Sequence, residues 1–290
     1  MSICYLNGEL LPLADARISV LDRGFIFGDG VYEVIPIFND RPFRLDEHLT
    51  RLACSLDAIA LPNPHTMPQW RLLVSAVVTA NPLNEISLYL QVTRGPAPRN
   101  HAVPIDPTPT VFAMVSPLTP TRALPPVATI TLADIRWARC DIKAVSLLPN
   151  VMFRSAAQAT GAYEALLIRE GWLTEGAASN VFVIADGRIK TPPHSCYILP
   201  GVTRDVLIEA LKGSADAVIE AEISKDELLA ADEIWLTSST RDLVPVASID
   251  GRALSAAAPG PVFQRVMDLY VKYKAAMLAS VAPLGMRTSE

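Results

Sequence analysis

The segment PLTPTRALPP, residues 117–126, places four prolines within ten residues. Proline lacks a backbone N–H and fixes its own φ angle, so this segment is a stiff connection that is excluded from the interior of a sheet. A chain of 290 residues is also long enough for two domains. We therefore predict a small N-terminal domain over residues 1–117, a linker over 118–126, and a larger C-terminal domain over 127–290.

The residues before the proline-rich segment alternate between strand and helix patterns. An Asn-Gly pair near the N-terminus predicts a tight turn, and VYEVIPIF, residues 31–38, has the alternation and the β-branched and aromatic content of a strand. Apolar residues at helical spacing predict a helix over 46–60, capped by Asp46, with Arg51 near the rim of its apolar face. With a second helix over 67–79 and two further strands, this part is predicted to be an α+β unit.

The residues after the proline-rich segment mix strands with helices. VATITLADI is predicted to be a strand, and YEALLIRE and NVFVIADGRI are predicted as two more strands, separated by the segment GWLTEGAAS. The predicted fold class is therefore α+β or α/β. The predicted helices cover residues 150–161, 202–212, 224–231 and 261–278.

Composition excludes several classes of function. A formal charge of -5 and a pI near 5.5 argue against nucleic-acid binding, and no run of apolar residues approaches the ~20 that span a bilayer. Because no signal peptide is indicated and the four cysteines have no paired spacing, we expect a cytoplasmic protein without a metal site. A function in small-molecule chemistry fits this composition better than nucleic-acid binding or a place in a membrane.

Lysine is scarce, since only six of the 25 basic residues are lysine and the first of them is Lys143. It lies in DIKAVSLLPN, an apolar segment between a predicted strand and a predicted helix. Desolvation in such a segment favours the neutral amine, which is the nucleophile that forms Schiff bases. The competing interpretation is a lysine that reaches solvent from a loop.

Two segments have features of a phosphate site. In LPGVTRDVLIEAL, Gly201, Val202 and Thr203 open an amphipathic helix, and the backbone N–H groups at a helix N-terminus bind anions. The hydroxyl cluster at residues 237–240 follows the apolar strand EIWL, and polar groups at strand ends commonly form ligand sites. An ordinary helix cap and an ordinary loop are the competing interpretations.

Three further places carry groups that could contact a ligand. Glu175 lies among small residues that would let an aromatic ring approach, and a carboxylate facing a pyridine nitrogen keeps that nitrogen protonated. Arg99 and His101 lie one residue apart, so an extended segment would point both to one side, where they could bind a carboxylate. Tyr32 follows a Gly-Asp-Gly turn. The alternatives are that Glu175 is a turn residue, that Arg99 and His101 lie in a solvated loop, and that Tyr32 is a core residue.

Seven of these segments occur in one order across nearly the whole chain: FGDGVYE, DEHLTRL, VTRGPAPRNH, DIKAVSLLPN, TEGAASNVF, LPGVTRD and TSSTRDLVPV. In this the chain resembles the fold type IV pyridoxal-phosphate enzymes, which include branched-chain aminotransferases, D-amino acid aminotransferases and aminodeoxychorismate lyase. The resemblance implies the two-domain fold of that group, with a smaller N-terminal and a larger C-terminal domain, and pyridoxal 5'-phosphate as cofactor.

The resemblance also assigns roles to individual residues. Lys143 looks like the Schiff-base lysine that moves the proton, Glu175 looks like the partner of the pyridine nitrogen, and Leu199 matches the side chain that packs on the cofactor ring. The residues that match the family's phosphate site are Arg51, the backbone of Val202, Thr203, Ser238 and Ser239.

The segment VTRGPAPRNH resembles the D-amino acid aminotransferase pattern, in which an Arg-x-His pair and a tyrosine bind the substrate carboxylate. Here these residues would be Arg99, His101 and Tyr32, and the Arg-x-His pair would come from the neighbouring subunit of a homodimer. The implied reaction is a ping-pong transamination between a D-amino acid, foremost D-alanine, and 2-oxoglutarate or pyruvate. Alanines in TEGAASN where serines are frequent in the family, and Ser239 in place of a common threonine, leave the substrate preference open.

Two alternatives remain at this stage. A branched-chain transaminase, an (R)-amine transaminase or an aminodeoxychorismate lyase would share the cofactor, and the Arg-x-His pair argues against them. A non-catalytic pyridoxal-phosphate-binding protein would share the fold. The presence of both Lys143 and Glu175 argues against that second alternative.

Overall fold

The computed structural model describes residues 2–118, 125–256 and 258–284, which form two compact units. The first unit comprises Met1–Pro120, Ile142–Ser146 and Met277–Glu290, and the second comprises Thr121–Asp141 and Leu147–Ala276. Residues 119–124 of the expected linker lie outside the described residues, so the domain boundary stays a prediction. The Lys143 segment groups with the first unit, although the sequence put it in the C-terminal domain.

The first unit is built on a six-stranded antiparallel sheet with the strand order β2-β1-β6-β5-β3-β4. Its longest ladder joins β3 to β5, from the pair Gly30–Thr93 to the pair Phe38–Glu85. The strands are β1 (Ile3–Leu6), β2 (Glu9–Pro12), β3 (Gly30–Phe38), β4 (Arg41–Pro42), β5 (Glu85–Thr93) and β6 (Thr110–Pro117), and the helices are a 3-10 turn (Leu13–Asp15), α1 (Arg23–Phe27), α2 (Leu45–Ala58) and α3 (Met67–Thr79).

The core of the first unit forms where α2 and α3 cover the sheet. Leu49, Leu52 and Leu56 of α2 share one face at helical spacing and are buried with Ile35 and Leu88 of the sheet. The prediction that Asp46 caps α2 was wrong. Arg44, at a positive φ of 57°, occupies the cap position, because the β4 turn brings the chain into the helix there. Asp46 lies in the first turn and pairs with Arg71.

The second unit contains a nine-stranded mixed sheet with the order β12-β11-β10-β13-β14-β7-β8-β9, and β15 pairs with β14. The pairs β11–β12, β14–β7 and β7–β8 are parallel. Its elements are β7 (Val127–Ala133), α4 (Leu148–Ala159), β8 (Glu164–Arg169), β9 (Trp172–Gly176), β10 (Asn180–Ala185), β11 (Arg188–Thr191), α5 (Val202–Leu211), β12 (Ile219–Glu220), α6 (Lys225–Leu229), β13 (Glu233–Ser238), β14 (Asp242–Ile249), β15 (Arg252–Ala253) and α7 (Pro261–Ser280).

The central strands of the second unit are buried along almost their whole length, which explains their continuous apolar sequences. α5 packs against β13, and α4 packs against β8. The segment that was expected only to separate two strands is itself strand β9, because Glu170 and Gly171 form a tight turn that pairs it with β8. Among the described residues, no helix combines the length and apolar character needed to cross a membrane.

Candidate active site

Lys143 lies beside strand β3 of the first unit and is held there by its own main chain. Its carbonyl accepts a hydrogen bond from the Tyr32 backbone N–H (2.9 Å), and its backbone N–H donates to Ser55 Oγ (3.2 Å). The half-buried side chain directs Nζ to 4.3 Å from the centroid of the Tyr32 ring. The structure thus brings together two of the predicted site residues, Lys143 and Tyr32.

A buried ionic cluster occupies the opposite side of β3, since Glu33 follows Tyr32 and successive strand residues face opposite ways. Arg51 donates from Nε to Glu33 Oε1 (2.7 Å) and from Nη2 to Oε2 (2.8 Å), while His48 Nδ1 lies 2.8 Å from Oε2. Burial opposes ionisation of Glu33, yet the Arg51 guanidinium and the His48 contact hold the pKa of that carboxyl well below its usual range.

Arg51 was expected near the rim of the apolar face of α2, and that expectation was wrong. Its side chain is buried, because it pairs through two hydrogen bonds with the buried carboxylate of Glu33. Sequence reasoning missed Glu33 and His48 as partners of Arg51. The signal was the spacing in DEHLTRL, which puts His48 and Arg51 three residues apart on one helix face.

Arg99 and His101 lie on an exposed loop of the first unit, between β5 and β6. Arg99 Cζ lies 5.5 Å from the centroid of the Phe27 ring, and the centroid of the His101 ring lies 5.4 Å from the same point. Arg23 holds the loop by donating to the Asn100 carbonyl (2.6 Å). The structure therefore gathers Arg99 and His101 around Phe27, while Tyr32 lies with Lys143.

Glu175 lies on β9 of the second unit, where it is buried. Oε1 accepts from Arg136 Nη1, and Oε2 accepts from Asn180 Nδ2 (3.1 Å) and from the Leu199 backbone N–H (3.1 Å). A carboxylate has about four acceptor positions, so these three donors leave one, on Oε1. Burial raises the pKa of Glu175 to about 7, against the opposing effect of Arg136. The carboxyl is therefore oriented and exchanges its proton near neutral pH.

Sequence reasoning also missed the ion pair between Arg136, which contacts Glu175, and Asp134. Arg136 donates from Nε to Asp134 Oδ1 (2.9 Å) and from Nη2 to Asp134 Oδ2 (2.8 Å), and Thr174 Oγ1 donates to Asp134 Oδ2 (3.0 Å). Arg169 adds an ion pair to Asp134 at 3.3 Å. Only the short pattern DIR at the end of the predicted strand VATITLADI could have indicated this group.

Asn180 links Glu175 to the start of α5. Besides its bond to Glu175, Asn180 Nδ2 donates to the Leu199 carbonyl (3.0 Å). Gly201, at the N-cap of α5, passes so close to Asn180 that a Cβ on residue 201 would collide with the Asn180 side-chain oxygen. No side chain caps this helix within the described residues, and its first residues, Val202 and Thr203, are buried. Asn180 therefore connects Glu175 in space to Leu199 and to the start of α5, where Val202 and Thr203 lie.

The hydroxyl cluster follows on β13, against which α5 packs. Thr237 lies directly opposite Asn180 in the β10–β13 ladder, and its buried Oγ1 has no hydrogen-bond partner in the part of the chain that the structure describes. An unsatisfied buried hydroxyl is costly and indicates a missing polar partner at this place. Ser238 and Ser239, the predicted phosphate ligands, are half-buried and follow directly.

Comparison with known proteins identifies the family. The family described as Amino-transferase class IV matches residues 30–249. A D-alanine aminotransferase from Bacillus licheniformis is 41% identical over 262 residues, which are 90% of this chain and 93% of that protein.

Two solved structures share the fold. A branched-chain aminotransferase from Thermoproteus uzoniensis with norvaline is 26% identical with a TM-score of 0.86, over 96% of each chain. A hypothetical aminotransferase from Mycobacterium tuberculosis in its PLP-bound form is 25% identical with a TM-score of 0.80, over 96% of this chain and 99% of that one. These matches confirm the predicted resemblance and fold type, and the chain belongs to the class IV aminotransferase family.

Proposed function

We propose that this chain is a pyridoxal-phosphate-dependent aminotransferase that transfers amino groups between D-amino acids, D-alanine foremost, and 2-oxo acids such as 2-oxoglutarate or pyruvate. The observation that carries the proposal is Lys143, a rare lysine whose main chain is held on both sides and whose amine faces the Tyr32 ring. The 41% identity to a D-alanine aminotransferase supports the substrate class.

The polar groups of the second unit fit this cofactor. The remaining acceptor position on Glu175 Oε1 suits the N–H of a pyridinium ring, and the unsatisfied Thr237 hydroxyl and the uncapped N-terminus of α5 suit a phosphate. We assign the ring nitrogen to Glu175 and the ring face to Leu199. The phosphate is assigned to Arg51, the Val202 backbone, Thr203, Ser238 and Ser239.

Pyridoxal phosphate, when bound, supplies an aldehyde that receives the substrate amino group and a ring that takes up the electrons of the broken Cα–H bond. Lys143 would hold that aldehyde in the absence of substrate. Its amine, once released by the substrate amino group, would move the proton of the substrate α-carbon. Glu175 would keep the ring nitrogen protonated. Because the first product leaves before the second substrate enters, the kinetics are ping-pong.

We assign binding of the substrate carboxylate to Arg99, His101 and Tyr32, with Arg99 and His101 serving the site of a second copy in a homodimer. The loop that carries them adjoins residues 18–27, since Ala97 N–H donates to the Leu21 carbonyl (3.2 Å). These two segments expose apolar side chains that a second copy would bury. They are Ile18, Val20 (73% exposed), Leu21, Phe25 (71%), Val103 and Ile105 (95%).

The dimer is tested by sedimentation of the purified protein across a dilution series. We expect a dimer, and D-alanine turnover per chain that falls together with the dimer fraction, because each site would lack Arg99 and His101 in a monomer. A monomer with full turnover would contradict this part of the proposal. We also propose that the protein acts in the cytoplasm, with which its four free cysteines are consistent.

The reaction is tested by the absorbance of the purified protein before and after addition of D-alanine or L-leucine. We expect a band near ~415 nm that moves toward ~330 nm with D-alanine. Lys143→Ala should lose both the band and turnover, whereas the control Lys190→Ala, at a lysine that pairs with Glu227, should keep both.

Three results would contradict the proposal. A response to L-leucine alone would favour a branched-chain aminotransferase, the second candidate, which the structural similarity to such an enzyme keeps open. Turnover by Lys143→Ala would refute the assignment of this lysine. A protein that cannot be reconstituted with the cofactor would refute the proposal altogether.

A further inference from the structure

Resting on the proposed function, we propose that Arg136 and Asp134 are positioning residues that together set the charge on Glu175, and through it the pH range in which the enzyme works. Neither residue is assigned a contact with substrate or cofactor. Both act on the one carboxyl that is assigned to the ring nitrogen, and the argument rests on three features of their geometry.

The first feature is that Arg136 has a single orientation. Asp134 accepts from Nε (2.9 Å) and from Nη2 (2.8 Å) of Arg136, and Asp134 Oδ1 also accepts from the Arg136 backbone N–H (3.0 Å). The Tyr197 carbonyl accepts from Nη2 as well (3.1 Å). The guanidinium is planar, so fixing two of its nitrogens fixes the third. Nη1 is thereby directed at Glu175 Oε1.

The second feature is that Arg136 is shared between two carboxylates. Asp134 receives three hydrogen bonds from Arg136, whereas Glu175 receives one. Asp134 is itself neutralised from a second side by Arg169 at 3.3 Å. Arg136 therefore compensates the burial of Glu175 only in part, which agrees with a pKa that burial raises to about 7.

The third feature is that the charges around Glu175 act in opposite directions. Burial raises its pKa most, Arg136 lowers it, and Asp134 raises it. Cys140, whose own pKa burial raises to about 11, also interacts electrostatically with Glu175 and is a neutral thiol at physiological pH. Removing Arg136 should therefore raise the pKa of Glu175 further. Removing the charge of Asp134 should lower it.

The test uses Arg136→Met and Asp134→Asn of the full-length holoenzyme, with Arg139→Met as the matched control. Arg139 lies three residues from Arg136, is exposed, and pairs with Asp141. The measurements are the absorbance of the bound cofactor as a function of pH without substrate, and kcat and KM for D-alanine across pH. The absorbance reports charge at the ring without requiring turnover.

We expect opposite displacements. In Arg136→Met the pH midpoint of the change in cofactor absorbance should move to higher pH, and so should the acid limb of kcat. At pH 7 kcat should be about tenfold lower, with KM little changed. In Asp134→Asn both should move to lower pH, and Arg139→Met should match the wild type. General damage to the site would displace both variants in the same direction, so the opposite signs identify an electrostatic role.

A double variant provides a second test of the inference. If Arg136 acts through Glu175, then Arg136→Met should no longer move the spectral transition in a Glu175→Gln protein. A shift that persists there would overturn the inference, as would shifts of the same sign, or none, in the two single variants. If Arg136→Met fails to fold, the direction of the pH shift in Asp134→Asn tests the inference. A colourless wild type would overturn the proposed function and this inference together, whereas a yellow wild type with unshifted variants overturns only this inference.

Discussion

Each unit contains a buried carboxylate bonded to a buried arginine, and the two carboxylates behave differently. In the first unit Glu33 accepts two hydrogen bonds from Arg51 and lies beside His48, so its pKa is held well below the usual range. In the second unit Glu175 accepts one hydrogen bond from Arg136, and burial raises its pKa to about 7.

The difference comes from how each arginine is shared. Arg51 directs two nitrogens at Glu33, while Arg136 directs two nitrogens at Asp134 and one at Glu175. Burial alone therefore does not decide the charge of these groups. The carboxylate that accepts two hydrogen bonds from its arginine has a lowered pKa, whereas Glu175, which accepts one from an arginine that also bonds Asp134, has a pKa that burial raises to about 7.

The largest effect is expected for Glu33→Gln, which removes the charge that compensates Arg51. The buried guanidinium would lose the opposite charge of Glu33 that now faces it through two hydrogen bonds, and the free energy of unfolding should fall by about 3 kcal/mol. Urea denaturation measures this change. Asp46→Asn is the control, since Asp46 pairs with Arg71 at the surface and should cost under ~1 kcal/mol. Equal costs at the two positions would show that the Glu33 cluster is not the structural pair described above.

A smaller effect is expected in the pH dependence of stability. The folded pKa of Glu175, about 7, lies above its ordinary value of 4.5, so its contribution to stability is complete below pH 4.5 and is lost as the pH rises through 7. Glu33 has the opposite sign, because its lowered pKa gives a contribution that is present above pH 4.5 and lost only in acid.

Urea denaturation of the protein freed of cofactor, at several pH values between about 5 and about 8, tests this difference. Over that range Glu175→Gln should remove a decline in stability that the wild type shows, while Glu33→Gln should leave the decline in place. If Glu175→Gln left the decline unchanged, the titration near pH 7 would belong to another group.

The sequence predicted much of the secondary structure and two candidate site residues that the fold places side by side. Helical spacing of leucines placed α2, and the motifs FGDGVYE and DIKAVSLLPN contained Tyr32 and Lys143, which the structure brings together. The alternative interpretation of Glu175 as a turn glutamate is wrong, since Glu175 lies on β9 and the preceding turn is formed by Glu170 and Gly171.

The partners of the charged residues could not be predicted in the same way. Arg136 meets Glu175 across 39 positions of sequence, and Arg51 meets Glu33 across 18. The two members of each pair lie in different parts of the fold, so no periodicity within one element connects them. Arg51 was expected near a helix rim because periodicity describes one element at a time. Its burial depends on a carboxylate supplied by a neighbouring strand, which only the tertiary fold reveals.

Gly201 has a consequence for how this enzyme can change over evolutionary time. A side chain at position 201 would collide with Asn180, so a single substitution there is blocked unless residue 180 shrinks first. Replacing Asn180 with a smaller residue removes the side-chain amide that donates a hydrogen bond to Glu175. A substitution at position 201 therefore depends on a prior change at position 180, and that change weakens the hydrogen bonding of Glu175. Random mutagenesis aimed at new substrates should recover variants elsewhere in the site long before it recovers any at this pair.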